Sequence, residues 1–472
     1  MTILPSIKMT SKYIYIVLTY FLLIFLVFDK YYPGSIRRDV PTEGEEGGRS
    51  TEVVDGTAQL LDSAVVNGGF STVVPVLDPL AEFKSEYNIN GTDRFEWYRE
   101  QMFLKLNISE TKTAHNISTL YAYEFEHEIV ITTTSWKRIG HKMFCRYLDE
   151  NNKEIGEPYE SFTYPEYIVY CQKREGVKKI GLSVEENGEF EPLPIVDRMP
   201  KKPKYELSMC VATIYGDEPK WLQFIEMVEH FKLQGVQHFY LHVHNASVYD
   251  MKVINEYVRT GEVEVHFLYE RDYRVDKNWH MVNLADCLIW SRGDSKWTIF
   301  ADLDERLYMT NYTGTILDYV REVKNETIGS LVFRQQWILK TELLPEKYEG
   351  DKQIDEWMPT HRWHNSTGIG SYGHTTKCIV NTEKVFIMFI HYVTQYYPKP
   401  NGKYISKNLE PEEGLIRHYR DQSLGSWGTK WLGQVLKFGA LRNTNYPEAL
   451  LGKLTENVKR RAKYVYENIY FD

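Results

Sequence analysis

At 472 residues the chain exceeds one typical domain, and 43% hydrophobic with 14% aromatic content supplies ample material for a packed core. A formal net charge of −9 excludes nucleic acid as the main partner, because binding a phosphate backbone needs a basic surface. Five cysteines without a Cys-x-x-Cys pair exclude a structural zinc site, and their odd number leaves at least one thiol unpaired.

Residues 1–12 read as a short cytoplasmic tail and 13–28 as a transmembrane signal anchor, the apolar run Tyr13 to Phe28 carrying interfacial tyrosines at its ends. A cleaved signal peptide also fits that length, but Tyr31-Tyr32-Pro33 sits where a small-residue cleavage site is needed. Residues 29–117 are rich in Gly, Glu, Ser, Thr and Asn and read as a stem. Seven sequons, at Asn90, Asn107, Asn116, Asn245, Asn311, Asn325 and Asn365, agree with a lumenal placement. The expected location is therefore the Golgi or another secretory-pathway membrane, in single-pass type II orientation.

Over 118–198, short alternating runs such as Glu128 to Thr134 and Tyr167 to Tyr170 are separated by turn residues, the pattern of a small antiparallel β domain. Cys145 and Cys171 both fall there and form the expected disulfide. The Pro-rich stretch Pro192 to Pro203 marks a boundary. Beyond it the period changes. Strands at Leu207 to Ile214, His238 to His244 and Glu262 to Leu268 alternate with helices at Trp221 to Phe231 and Val248 to Thr260, which predicts a parallel α/β sheet. A helix from Met281 to Trp290 leads into the strand Lys296 to Ala301. Further strands are expected at Leu331 to Trp337, Lys377 to Val380, Val385 to His391 and Gly414 to Tyr419. Residues 452–472 hold a basic amphipathic helix, about Thr455 to Tyr470.

The strand from Lys296 stops at Asp302-Leu303-Asp304, where two hard oxygen ligands one residue apart are able to share a divalent cation, Mn²⁺ or Mg²⁺. Ligands of such sheets bind beyond the carboxyl ends of the strands, which also brings in the loop Tyr215, Gly216, Asp217 and Glu218. The plain alternatives are an acidic turn and a loop capping the following helix.

The blocks Cys210 to Leu222, Gln234 to Leu241 and Trp297 to Leu307, in that order, resemble glycosyltransferase family 92. The resemblance covers roughly Leu120 to Leu451. It implies a GT-A type (Rossmann-like) nucleotide-diphospho-sugar transferase domain over 205–451 and an inverting, metal-dependent transfer. By analogy with characterised members, the donor is UDP-galactose and the acceptor a glycan. In such domains Asp302 and Asp304 hold the cation, Asp304 the more directly, with a late histidine as third ligand: His418 is preferred and His391 is second. Arg334, Lys377 and Arg420 are candidates to face the diphosphate. Asp355 and Glu356, in a stretch read as irregular beside Trp357, Trp363 and His364, are the candidate bases that deprotonate the acceptor hydroxyl. Two other classes compete. A haloacid-dehalogenase-like phosphatase is disfavoured because Glu305 follows the second aspartate and the strand–helix units precede the motif. A catalytically inactive, lectin-like lumenal relative is opposed by the intact aspartate pair.

Overall fold

The alternating runs of the first half form strands because a period of two sends one side-chain set inward. In the computed structural model the described residues are 97–98, 100–102, 112–113, 117–134, 139–199, 202–268, 279–399, 401–422 and 432–468. All belong to one compact unit, Gly68–Asp472. The expected tail, the anchor over Tyr13 to Phe28 and nearly all of the expected stem lie outside them. Among the described residues no helix is long and apolar enough to cross a membrane.

The first sheet contains β1 (Lys112–Thr113), β2 (Ser118–Glu124), β3 (Glu128–Thr134), β4 (His141–Leu148), β5 (Tyr159–Phe162), β6 (Ile168–Gln172), β7 (Lys179–Ser183) and β8 (Leu193–Asp197). It is mainly antiparallel, with parallel pairs β1–β4 and β2–β8. Ile129, Ile131, Met143 and Val169 build its core, and the expected Cys145–Cys171 bridge crosses it with Cα atoms 6.0 Å apart.

The second sheet begins as expected. β9 (Tyr205–Ile214), β10 (His238–Val243), β11 (Val263–Phe267) and β12 (Ser295–Ala301) run parallel in the order β11-β10-β9-β12. They are joined through α1 (Trp221–Leu233), α2 (Val248–Arg259) and α3 (Trp279–Ser291). Gly235, at φ +90°, supplies the left-handed backbone that lets the chain turn from α1 into β10.

The later strands, for which the sequence set no direction, do not all continue the parallel run. After β13 (Glu305–Met309) and α4 (Ile316–Glu322), the long β14 (Ile328–Lys340) pairs antiparallel with β16 (Lys377–Val380), itself antiparallel to β12. The two-residue β15 (Asn365–Ser366) lies on the far flank of β14. β17 (Val385–Met388) and β18 (Val393–Tyr396) form a separate hairpin. β19 (Ile405–Asn408) and β20 (Gly414–Asp421) run parallel to β14, β20 also pairing with β13, and β21 (Arg442–Asn443) closes the edge. Strands buried on both faces read as continuous apolar runs whichever way they point, so periodicity carries no direction here. The stretch expected to be irregular contains α5 (Asp351–Trp357) and α6 (Pro359–Arg362), and the last helix, α7 (Glu448–Lys463), starts ahead of the expected Thr455.

The two sheets share side chains. Trp97, Tyr98, Tyr164 and Tyr170 pack in one cluster with Trp279, Val332, Cys378, Phe386 and Met388. A polar joint crosses the same seam. Asp286 of α3, fully buried, accepts from Tyr123 Oη of β2 at 2.8 Å, and its other oxygen faces His242 Nε2 at 2.6 Å and His266 Nδ1 at 2.9 Å. Asn283 donates Nδ2 to the Val211 carbonyl and to His242 Nδ1, which leaves the proton of His242 on Nε2, pointing at Asp286. Protons therefore fill the space between these three side chains. A second disulfide, Cys210–Cys287, ties β9 to α3, and Cys378 is the free thiol.

One buried histidine sets an acid limit on the fold. His230 of α1 is fully buried, with Nε2 2.7 Å from the Leu307 carbonyl and Nδ1 2.6 Å from Tyr446 Oη. Burial, reinforced by nearby Arg306, lowers its pKa to about 3. A histidine kept neutral in the folded state but free to protonate when unfolded stabilises fully above its unfolded pKa, near 6.5, and less as pH falls toward the folded value. Taking the protein from pH 7 to pH 5 is expected to cost about 2 kcal/mol through His230 alone. Urea melts of His230→Gln should show that portion of the pH slope gone; an unchanged slope contradicts the assignment.

Candidate functional site

The apolar run of β12 ends at Ala301 because the chain turns sharply through Asp302, Leu303 and Asp304 before β13 leaves. Glu305 N–H closes the turn on the Asp302 carbonyl at 3.1 Å, and the buried Glu305 carboxylate takes the Asp302 N–H at 2.8 Å. The turn opens at the carboxyl ends of β9 and β12, into a cleft of about 220 Å³ whose walls include Tyr215, Glu218, Lys220, His280, Lys340, Arg420 and Asp421.

Opposite charges crowd the two aspartates. Lys377 Nζ, from β16, lies 2.9 Å from Asp302 Oδ1 and 3.6 Å from Glu305 Oε2. His418 Nε2, from β20, is 3.1 Å from Asp304 Oδ2. Burial works against charge on both aspartates, but Lys377 outweighs it at Asp302 and His418 at Asp304, so both pKa values fall below the usual carboxylate range. Glu305 behaves oppositely: burial, with the neighbouring aspartates, outweighs Lys377 and pushes it up to about 7. Burial lowers and Asp304 raises the pKa of His418, and the carboxylate prevails.

The second nitrogen of His418 decides what its first can do. Nδ1 lies 2.8 Å from Gln335 Oε1, which accepts its proton. Nε2 then meets Asp304 either as the second N–H of an imidazolium or as a lone pair across a shared cation. Without one or the other, two acceptors would face each other.

Of the residues expected at the site, Asp302, Asp304, His418, Arg420, Tyr215 and Glu218 line or border this cleft, and Gly216 sits in its loop at φ +89°. That left-handed backbone favours glycine, and a Cβ there would also displace the Glu218 carboxylate, 2.6 Å away. Asp217 instead leans toward Asn245 Nδ2, at 3.5 Å. Lys377 comes to the motif from beneath, 2% exposed and bound to carboxylates, which corrects the expectation that it faces a diphosphate. Arg334 is turned elsewhere: it donates to the Gly370 carbonyl at 2.7 Å and covers the Tyr372 ring. His391 Nδ1 lies 3.2 Å from the Thr376 carbonyl, and burial and Lys377 lower its pKa to about 3; like His418 it is not among the residues lining the cleft, and the contact with Asp304 is made by His418. Asp355 and Glu356 sit on α5, Asp355 paired with Lys459 of α7 at 2.6 Å and Glu356 with Lys352 at 3.7 Å, and neither lines the cleft.

Sequence reasoning missed His280, in the first turn of α3 and 3.7 Å from Asp302 Oδ1, and the lysines Lys220 and Lys340. Lys220 folds back onto the Gly216 and Glu218 carbonyls, at 3.0 and 2.7 Å, and Lys340 pairs with Asp421 at 2.7 Å. The usable signal was positional: each stands within a few residues of a strand's carboxyl end or a helix's first turn on the same side of the sheet.

The model of glycosyltransferase family 92 matches residues 205–454, just over half of the chain. The chain belongs to glycosyltransferase family 92. The matched span starts at β9 and contains the whole carboxylate turn and His418, so the cleft is a feature of the family 92 region. The chain is similar to beta-1,4-galactosyltransferase galt-1 of Caenorhabditis elegans, 24% identical over 275 residues. That match covers 54% of this chain and 60% of the relative's length. Among solved structures, the chain matches HddC from Yersinia pseudotuberculosis at 11% identity, covering 53% of this chain and 98% of that one, with a TM-score of 0.24. It also matches S. aureus TarS 1–349 at 10% identity, covering 55% and 72%, with a TM-score of 0.23. Scores this low carry no argument about the site, and the family 92 protein is described below from its own residues.

Proposed function

We propose that this family 92 protein is an inverting, metal-dependent glycosyltransferase of GT-A type that moves a hexose, galactose from UDP-galactose, onto a glycan acceptor. The observation that carries the reading is that Asp302 and Asp304 line one cleft at the carboxyl ends of the strands, with His418 Nε2 3.1 Å from Asp304 Oδ2. The galactosyltransferase name of the Caenorhabditis elegans relative supports the choice of sugar.

The donor set fits a divalent cation. Asp304 Oδ2 and His418 Nε2 face each other at 3.1 Å, an arrangement in which a cation can take the place of the proton between them, and Asp302 adds a second carboxylate whose Oδ1 is engaged by Lys377. Two carboxylates with an imidazole suit Mn²⁺ better than Mg²⁺, which prefers oxygen alone. When bound, the cation would act as a Lewis acid that stabilises charge on the departing diphosphate. The chain's own groups do the rest. Gln335 orients the His418 ring, Lys377 and His418 keep the aspartates ionised, and Arg420 and Lys340 place positive charge on the cleft wall. The exposed Tyr215 ring offers a surface on which a nucleobase can stack. With Asp355 and Glu356 turned away, Glu218 and Asp421 are the cleft carboxylates left to receive the acceptor proton. The Tyr13 to Phe28 run supports a type II anchor that holds the cleft on the lumenal side of a Golgi membrane, with 29–117 as its stem.

Full-length protein incubated with Mn²⁺, a set of UDP-sugars and a glycan panel is expected to release UDP fastest from UDP-galactose. Glycan binding without UDP release from any donor would replace this reading with the lectin-like one.

A further inference from the structure

Three carboxylates, Asp302, Asp304 and Glu305, lie within four consecutive residues, and a lone cluster of that kind is expensive to keep ionised. The fold does not leave the expense to a metal. Lys377 is 2% exposed, enters from the middle of the sheet between β12 and β14, and reaches Asp302 and Glu305 at 2.9 and 3.6 Å. Glu305, on the other side of the ammonium, is itself fixed by the Asp302 N–H. Neighbouring Cys378 and Phe333 are fully buried and strand pairing fixes the backbone, so the ammonium is held where it meets the two carboxylates.

We propose that Lys377 is a resident counter-cation that offsets part of the negative charge of the carboxylate turn before any metal arrives, so that a divalent cation enters together with a nucleoside diphosphate rather than ahead of it. The inference rests on the metal reading above. A dication approaching Asp302 alone meets an ammonium that has already taken one carboxylate oxygen. A diphosphate reverses the balance, because its negative charge offsets both the arriving cation and the positive groups Arg420 and Lys340 on the cleft wall. Metal and nucleotide then raise each other's affinity by one common factor, as linkage demands. Lys377 is thus a positioning residue: it acts on the donor through Asp302 and does not touch it.

Mn²⁺ binding to the full chain, measured by paramagnetic resonance with and without UDP, tests this. In the wild type, UDP should tighten Mn²⁺ binding by at least about tenfold. Lys377→Met alone leaves Glu305 as a fully buried carboxylate without its cation, so the comparison is made in the Glu305→Gln background. There, adding Lys377→Met should tighten Mn²⁺ binding without UDP by at least about tenfold and shrink the UDP effect accordingly. Glu305 and Lys377 lose their charges together, and Asp302, whose side chain is 27% exposed, can turn to solvent in place of Lys377, so the double variant is expected to fold. The proposal is overturned if the double variant binds Mn²⁺ no more tightly than Glu305→Gln, or if it cannot fold with or without Mn²⁺, which would make Lys377 a structural residue only. If the wild type binds no Mn²⁺ even with UDP present, the metal reading itself fails and this inference falls with it.

Discussion

Asp304→Ala is expected to abolish Mn²⁺-dependent UDP release, by on the order of 10²–10³, while the protein still folds and melts cooperatively. The size follows from losing the group that meets His418 at 3.1 Å: charge stabilisation at a leaving group is commonly the largest single contribution to such a barrier. The fold survives because Asp304 contributes to it through its backbone. Its carbonyl accepts the Tyr419 N–H at 2.9 Å, and that bond needs no carboxylate. His418 loses in the variant the carboxylate that raises its pKa, with its Gln335 bond intact. Asp302→Asn should cost activity as well, because it removes the second carboxylate of the proposed metal site and leaves Lys377 with Glu305 as its remaining close carboxylate. As controls, Asp355→Ala and Glu356→Ala should leave turnover unchanged, because both carboxylates sit on α5 with lysine partners away from the cleft. Turnover is measured as UDP release under saturating donor. Wild-type rates in Asp304→Ala would make the motif a structural turn, and a large loss in Asp355→Ala would return the base to α5.

What could be read in the sequence follows from which forces are local. The strand from Lys296 and the pair Asp302 and Asp304 were legible because a buried strand and its abrupt polar end are written in consecutive residues. The units from β9 to β12 were legible for the same reason, with Gly235 and Gly261 marking helix ends. Lys377 was noticed, but its role was not, since a lysine in a strand such as Lys377-Cys378-Ile379-Val380 carries no sign of facing Asp302 across the sheet. His418 was preferred over His391 on its neighbour Arg420, and the structure separates the two for a different reason: β20 pairs with β13, which sets His418 opposite Glu305 in register, whereas His391 closes a hairpin. Asp355 and Glu356 failed because acidic residues on a short exposed helix and in a catalytic loop have the same composition. His280 was invisible for want of a contact map: its significance lies in where α3 starts, and that is fixed by Asn283 and Thr213 bonding between β9 and α3.

A fragment beginning at Tyr205, which holds the whole family-matched span, is expected not to fold, whereas one beginning at Asp93 folds and binds UDP. The family 92 match starts at residue 205 and invites the view that everything before it is accessory. The packing contradicts that view. Trp97 and Tyr98 are fully buried, and they meet Phe386 at ring distances of 5.0 and 5.5 Å, while Tyr98 stacks on Tyr170 at 3.9 Å. Phe386 belongs to β17, and its hairpin partner β18 reaches back through Gln395 to Gln101 at 2.8 Å. Removing Trp97, Tyr98, Tyr164 and Tyr170 exposes the apolar surface they cover. At about 2–3 kcal/mol for each large side chain, the loss approaches the whole stability of an ordinary domain, about 5–15 kcal/mol. The polar joint fails as well. Without Tyr123, Asp286 keeps its charge but loses a donor, in a helix whose first turn carries His280 beside Asp302. The damage would therefore reach the cleft before it reached global unfolding. Circular dichroism melts of both fragments, with UDP binding followed by calorimetry, check the prediction. A cooperative melt and UDP binding by the shorter fragment would show the first sheet to be dispensable. An intermediate result, in which that fragment is compact but does not bind UDP, would locate the first sheet's contribution in the placement of α3.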